Sequence, residues 1–493
     1  MKKDAVKVNI GEFNLSSETY FGKLKVDGEN TELFLSSRKK INLDSSSRIT
    51  ITGLLSDNKK VSLIDCITVS RGTLGYDKKY GVQNVAKIFP HFIVSGYHHF
   101  APLEKSIFSI EFLIENSVSL FHDNRVFGQI LDSDSREVLG KVSEIQNEEL
   151  ELGDHPEIFY YTGKRIIFEC KSCLGAISAF NSPTIRMASP GGFAIENVVP
   201  MRITFEKPVV FKESLDAFNI VKNYLDLLFG KPQKIEKIKV FINSDKEYPE
   251  CLDVYSCLQR EYYEIFSDIS LNPSDILING GLEPEIFSQV LSSWLERQSS
   301  QAISRNQFMS SFRGQNEYSS DRLVVAANMF DILPGNAFGE AVSIPEDLAA
   351  ATNECKKIFK VLPETSERNS ILGALGRIGK QSLKLKVKQR ASFVIDEIGD
   401  YLPDFEIVIN EAINCRNFYV HGTLGKLAPE AVYRFTSFFI DTLEFIYGAS
   451  DLIEAGWEIR TWITKKSPIH HPFSIYVRHY RENLKDLKIS KRP

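Results

Sequence analysis

The sequence predicts an α+β protein of more than one domain, in which a β-sandwich-like N-terminal domain precedes a C-terminal all-α helical bundle. Three observations predict it. The chain of 493 residues is longer than one core ordinarily serves. Residues 1–210 alternate apolar and polar types in short stretches between turn signals. Residues 285–465 carry apolar side chains at helical spacing.

The β-rich reading rests on alternating stretches at 31–35, 48–54, 61–69, 106–113, 165–168 and 198–205, rich in Ile, Val, Thr and Phe. Asp27-Gly28, Ser56-Asp57-Asn58 and Ser189-Pro190-Gly191-Gly192 punctuate them. The character changes near Phe211, where Leu215, Phe218, Val221, Leu225 and Leu228 form an amphipathic stripe. Residues 211–284 read as a helical and mixed connector holding one more strand near 238–242. In the bundle, helices are expected over 287–313 (one or two), 320–331, 345–359, 380–400 and 404–421. A long helix then begins at Pro429, with a stripe of Val432, Phe435, Phe439, Leu443, Ile446, Ala449 and Ile453. Residues 466–493 form a basic and aromatic tail, read as packed rather than as a binding strip.

Hydrophobic residues make up 43% and charged residues 25%, the balance of a soluble globular protein. A net charge of -5 argues against non-specific coating of nucleic acid and leaves room for a local basic groove. No apolar run is long enough to span a membrane. The opening Met1-Lys2-Lys3-Asp4-Ala5 runs into alternating polar sequence, so no secretory signal is expected. The 7 cysteines are odd in number and scattered, which points to a reducing cytoplasm rather than a disulfide framework.

The segment with the most chemistry is Arg416-Asn417-Phe418-Tyr419-Val420-His421. An Arg followed five residues later by a His carries almost no specificity by itself. Its setting adds weight: a polar Asn417 follows the Arg, Gly422 stands where a left-handed helix cap belongs, and a Pro-initiated helix comes next. This Arg-Asn-x-x-x-His pattern in a C-terminal bundle resembles the HEPN superfamily of bundle RNases. The wider layout looks like the ApeA group of anti-phage proteins. The strings ITITGLLSDNKKVSLIDC (49–66), SGYHHF (95–100) and IYGASDLIEAGW (446–457) add to that likeness.

The resemblance implies a metal-independent endoribonuclease with Arg416, Asn417 and His421 as catalytic residues and no cofactor. It also implies a role in abortive anti-phage defence with cleavage of host RNA such as tRNA, a phage-derived trigger sensed by the N-terminal domain, and a homodimer with a composite cleft. The alternative is a non-catalytic HEPN module that binds RNA, a nucleotide or a partner protein. A third reading makes the β domain a ligand-binding module and the bundle a dimerisation device.

The residue types suit the chemistry. A neutral imidazole, whose ordinary pKa is roughly 6.5, can take the proton of an RNA 2′-OH. A guanidinium can fork two phosphate oxygens as charge builds. Geometry adds a constraint. Five residues of helix turn through about 500°, so Arg416 and His421 point roughly 140° apart, while Asn417 and His421 share a face. Convergence needs a distorted helix end or a second copy. The negative end of the helix dipole favours an imidazolium at His421, which helps a general acid and hinders a general base, so its role stays open.

Other signals carry less. Lys380, Lys384 and Lys388, at four-residue spacing, could follow an RNA backbone or simply be a solvated face. Cys170 and Cys173 have zinc-knuckle spacing without a matching second pair, and no metal site is expected. Adjacent His98 and His99 on a strand would face opposite ways. Gly373 to Lys380 is one residue too long for a phosphate loop, has Gln381 where Ser or Thr belongs, and follows no strand.

Overall fold

A computed structural model of the chain describes residues 6–490 except 16–17, 44–47, 78–80, 124, 190–191, 243–248, 259–271, 316, 339–344, 380, 423–428 and 466–469. It forms two compact units, one of residues 1–228 and 232–288, the other of 229–231 and 289–493.

The first unit is built on an antiparallel sheet of 13 strands. Six of them close on themselves: β1 (Lys7–Leu15), β2 (Glu18–Val26), β3 (Glu32–Ser37), β4 (Ile49–Leu55), β5 (Lys60–Asp77) and β6 (Gly81–Phe89). β4 pairs with β1, β1 with β2, β2 with β3, β3 with β6, and β6 returns to β5, which pairs with β4. The strands alternate because the inward face must be apolar and the outward face meets water. Phe13, Leu24, Leu33, Leu35, Ile51, Leu63, Ala86 and Ile88 fill the barrel. Gly53 is required there: a Cβ would lie 2.5 Å from the Phe13 ring.

Long β5 belongs to two structures. Residues 60–64 pair with β7 (Phe92–Gly96) and residues 67–77 with β6. The switch falls at Asp65, whose φ of 53° turns the strand through the left-handed region. From β7 the sheet continues as an open wing through β8 (Ile107–Ile114) and strands that follow. α1 (Ser117–Leu120) leads to β9 (Phe127–Leu131), α2 (Asp132–Gln146) and β10 (Glu157–Tyr161), of which β9 and β10 pair as a two-stranded sheet of their own. β11 (Ile166–Ser172), β12 (Gly175–Phe180) and β15 (Met201–Val209) join the wing, while β13 (Ser182–Ser189) and β14 (Gly192–Val198) form their own hairpin.

α3 (Phe211–Phe229) lays its stripe on the wing, with Phe218 edge-on to Phe112 of β8 at 4.9 Å. β16 (Ile235–Ile242) and β17 (Glu250–Ser256) then enter the same sheet, β16 beside β8 and β17 beside β7. Residues 211–228 and the described part of 232–284 belong to the β unit, and the expected sandwich takes the form of a barrel continued by a wing. Residues 259–271 of that stretch lie outside the described residues.

The second unit is the helical bundle. It contains α4 (Pro284–Glu296, from residue 289 onward), α5 (Gln298–Phe312), α6 (Ser320–Ile332), α7 (Glu346–Val361), α8 (Ser366–Arg377), α9 (Leu383–Ile398), α10 (Phe405–His421), α11 (Pro429–Glu454), α12 (Ile459–Thr464) and α13 (Pro472–Ile489). α11 is central and packs against α5, α6, α9, α10 and α13. Its middle is buried nearly all round, which a one-sided stripe does not capture. α13 buries Phe473, Tyr476, Tyr480, Leu484 and Leu487, so the described tail is part of the bundle. Among the described residues no helix is long and apolar enough to cross a membrane.

Charge is buried in the bundle at two places. Near one, Glu444 accepts from Arg322 at 2.9 Å and from Ser311 at 2.5 Å. Asp441, one turn away on α11, accepts from the Tyr318 hydroxyl at 3.2 Å. Burial, reinforced by Glu444, pushes the Asp441 carboxyl up to about 7. A carboxyl raised by folding contributes stability that is complete below its ordinary value and is lost as pH rises to about 7. Asp441→Asn, which stays neutral, is expected to raise the bundle's unfolding temperature at pH 8, with the gain vanishing toward pH 4. Tryptophan fluorescence checks this selectively, because all 3 tryptophans (Trp294, Trp457, Trp462) belong to the bundle unit.

Candidate active site

Three of α10's sides are taken up by α6, α9 and α11, against which Val408, Ile409, Ala412, Ile413 and Cys415 are buried. The remaining side is polar. Asn410, Asn414, Asn417 and His421 follow one another at i, i+4, i+7 and i+11, so they line one stripe, half-buried along its length and exposed at His421. The Asn410 Oδ1 atom is buried with no hydrogen-bond partner among the described residues.

The helix remains regular through His421. Gly422 then turns left-handed, with φ of 71°, and its N–H donates to the Phe418 carbonyl at 2.8 Å. The bend thus comes after the His, and the roughly 140° between Arg416 and His421 stands. His421 is exposed and makes no hydrogen bond or ion pair with a described residue. It is free to meet a ligand, and no hydrogen bond joins it to Arg416.

Arg416 lies at the edge of the stripe and reaches across to α6. Its Nη1 donates to Asn417 Oδ1 at 3.1 Å and its Nη2 to Asn328 Oδ1 at 2.8 Å. The Nε–H is buried without an acceptor. No carboxylate pairs with it among the described residues. The structure joins Arg416 to Asn417, which helix spacing sets beside His421 rather than beside Arg416, and adds Asn328. Asn328 went unread because it is 88 residues from Arg416. One signal was available: it is the polar exception in Leu-Val-Val-Ala-Ala-Asn-Met-Phe at 323–330.

The neighbours of Arg416 offer no nucleophile. Burial pushes the Cys415 thiol up to about 12, so it is an inert packing group. Burial also raises the Tyr419 hydroxyl, which bonds Thr436. Of the three lysines on the α9 side, Lys388 is paired with Glu406 at 2.7 Å. Lys384 is half-buried and has no partner among the described residues, and Lys380 lies outside them. Cys170 is half-buried and Cys173 exposed, and burial raises the Cys170 thiol to about 11. Among the described residues no three His, Cys, Asp or Glu side chains converge on a metal position. His98 meets Glu250 at 2.5 Å while His99 meets the Val61 carbonyl, so the two histidines have separate partners.

Comparison with known proteins places the chain in a family. Residues 9–294 match the family described as ApeA N-terminal domain 1. Residues 324–460 match the family described as Apea-like HEPN, a span that runs from α6 into α12 and includes Asn328, Arg416, Asn417 and His421. Neither the curated proteins nor the solved structures return a match. With more than half of the chain covered by the first profile and the bundle by the second, the chain belongs to the ApeA family and carries an ApeA-like HEPN domain.

Proposed function

We propose that the protein is a metal-independent HEPN endoribonuclease acting in cytoplasmic anti-phage defence, with host RNA such as tRNA as substrate. The observation that carries the reading is Arg416. Its guanidinium is held in place by two neutral amide oxygens with, among the described residues, no carboxylate to cancel its charge, beside a stripe that ends in a His421 that bonds no described residue. In water-poor surroundings such a cation favours an anionic ligand.

The reaction follows from these groups. A 2′-OH attacks the adjacent phosphorus, and the bond from phosphorus to the 5′ oxygen breaks. A base takes the 2′-OH proton and an acid returns one to the leaving oxygen. The products are a 2′,3′-cyclic phosphate and a 5′-OH. Arg416 offsets the charge on the phosphoryl oxygens, and His421 moves a proton.

Because Arg416 and His421 diverge on a regular helix, the reading carries a second copy of the chain, so that Arg416 of one protomer and His421 of the other meet one phosphate. The polar α10 stripe suits a self-complementary contact. The N-terminal domain would sense a phage-derived trigger. The separation of Arg416 from His421 within one chain also supports the alternative, a non-catalytic module that binds RNA, a nucleotide or a partner protein.

Cleavage of tRNA by the full-length protein, with and without chelator, and by Arg416→Ala and His421→Ala, separates the two. Chelator-insensitive cleavage lost in both variants is expected. Cleavage that persists in both, or that requires a metal, contradicts the proposal. A protein that remains monomeric while cutting RNA contradicts the shared site.

A further inference from the structure

The surroundings of half-buried Arg416 differ from those of the bundle's buried arginines. Arg305 meets Asp451 at 2.8 Å, Arg322 meets Glu444 at 2.9 Å and Arg390 meets Glu454 at 2.8 Å. Burying a guanidinium is costly unless an anion compensates it, so those pairs are what the fold alone demands. Arg416 instead meets two amide oxygens.

We infer that Asn328 is a positioning residue that aims Arg416 at the substrate phosphate while leaving its charge uncancelled; this rests on the RNase reading above. Asn417 is the next residue on the same helix and moves with Arg416. Asn328 is on α6, so it is the brace that spans two helices and selects one orientation for a long, flexible side chain. An amide oxygen does this with a partial charge. A carboxylate in the same place would grip harder and would compete with the phosphate for the guanidinium. With one proton of each terminal nitrogen given to an asparagine, one on each has no acceptor among the described residues and remains to donate to a phosphate. The buried Nε–H without an acceptor fits the same account, since a purely structural arginine would be expected to have its donors satisfied.

Asn328→Asp tests this because it keeps the shape and the hydrogen bond but adds the missing negative charge. Asn328→Ala removes the brace and leaves the charge. Each is measured as full-length protein, alongside Arg416→Ala, for unfolding temperature, cleavage of unfractionated tRNA and binding of a 2′-O-methyl RNA oligonucleotide across salt concentrations. Asn328→Asp should unfold at or above the wild-type temperature, bind the oligonucleotide about tenfold more weakly, and show a salt slope smaller by roughly 0.7–1, the signature of one lost phosphate contact. Its cleavage should fall about a hundredfold, and that of Asn328→Ala about tenfold. Wild-type binding and cleavage in Asn328→Asp, with both lost in Arg416→Ala, would overturn the role of Asn328 and leave the RNase reading standing. So would losses in both Asn328 variants that only follow their unfolding temperatures. Wild-type behaviour in Arg416→Ala would overturn the RNase reading itself.

Discussion

His421→Ala is expected to lower RNA cleavage by about 10²–10⁴-fold, the usual worth of a positioned acid or base, without moving the unfolding temperature. The side chain is exposed and bonds no described residue, so its removal takes nothing from the fold. Arg416→Ala should be at least as damaging to cleavage, because it removes the charge that offsets the phosphate. Unlike His421→Ala it also releases Asn328 and Asn417, so a modest loss of stability accompanies it. Mixing the two variants supplies a further test. If the site is shared between copies, with Arg416 from one and His421 from the other, a mixed dimer retains one intact site and recovers part of the activity. Initial rates of tRNA cleavage read all of this. An unchanged rate in His421→Ala would remove that residue from the mechanism.

The largest effect on stability is expected at Asp451. This buried carboxylate accepts from Arg305 at 2.8 and 2.9 Å and from the Trp294 indole at 2.8 Å, and it lies 3.1 Å from Arg297. Burial alone would raise its carboxyl, but Arg305, and after it Arg297, overcome burial and hold it below the usual carboxylate range. Asp451→Ala strands the Arg305 charge inside the bundle, while Arg297 keeps Glu454 at 2.8 Å, and should cost about 3–5 kcal/mol. Tryptophan fluorescence during urea unfolding is a direct probe, since Trp294 touches the network. A cost under about 1 kcal/mol would show that Arg305 finds another partner. Replacing Arg305 and Asp451 together by apolar residues of similar size should recover much of the loss, because no buried charge is then stranded between them.

The sequence strings noticed at the outset mark places where the fold has little freedom. The 446–457 string holds Ser450, Asp451 and Glu454, which receive Arg390, Arg305 and Arg297, and then Gly456 with φ of 102°. The 49–66 string holds Gly53, which admits Phe13, and Asp65, which turns β5 from the wing into the barrel. In the 95–100 string, Gly96 faces Leu252 and the Phe100 N–H donates to Ser62. These positions were visible as residues, but their reasons are non-local and only the fold supplies them.

Periodicity served well where one face is buried, as in α3 and α6. It did not show α2, a mostly polar helix with little buried surface, nor that β16 and β17 would rejoin a sheet begun more than a hundred residues earlier. At the site, helix geometry was enough to foresee that Arg416 and His421 diverge around α10 and that Asn417 and His421 share a face. Asn328 was out of reach because contact between α6 and α10 is a product of packing, not of sequence distance.

The most direct test of the account is the chemistry of the cut. Cellular RNA 3′ ends are analysed after overexpressing the wild-type protein and His421→Ala. New ends bearing 2′,3′-cyclic phosphate are predicted with the wild type and not with the variant. The same new ends in both, or new ends bearing a 3′-OH, would contradict it.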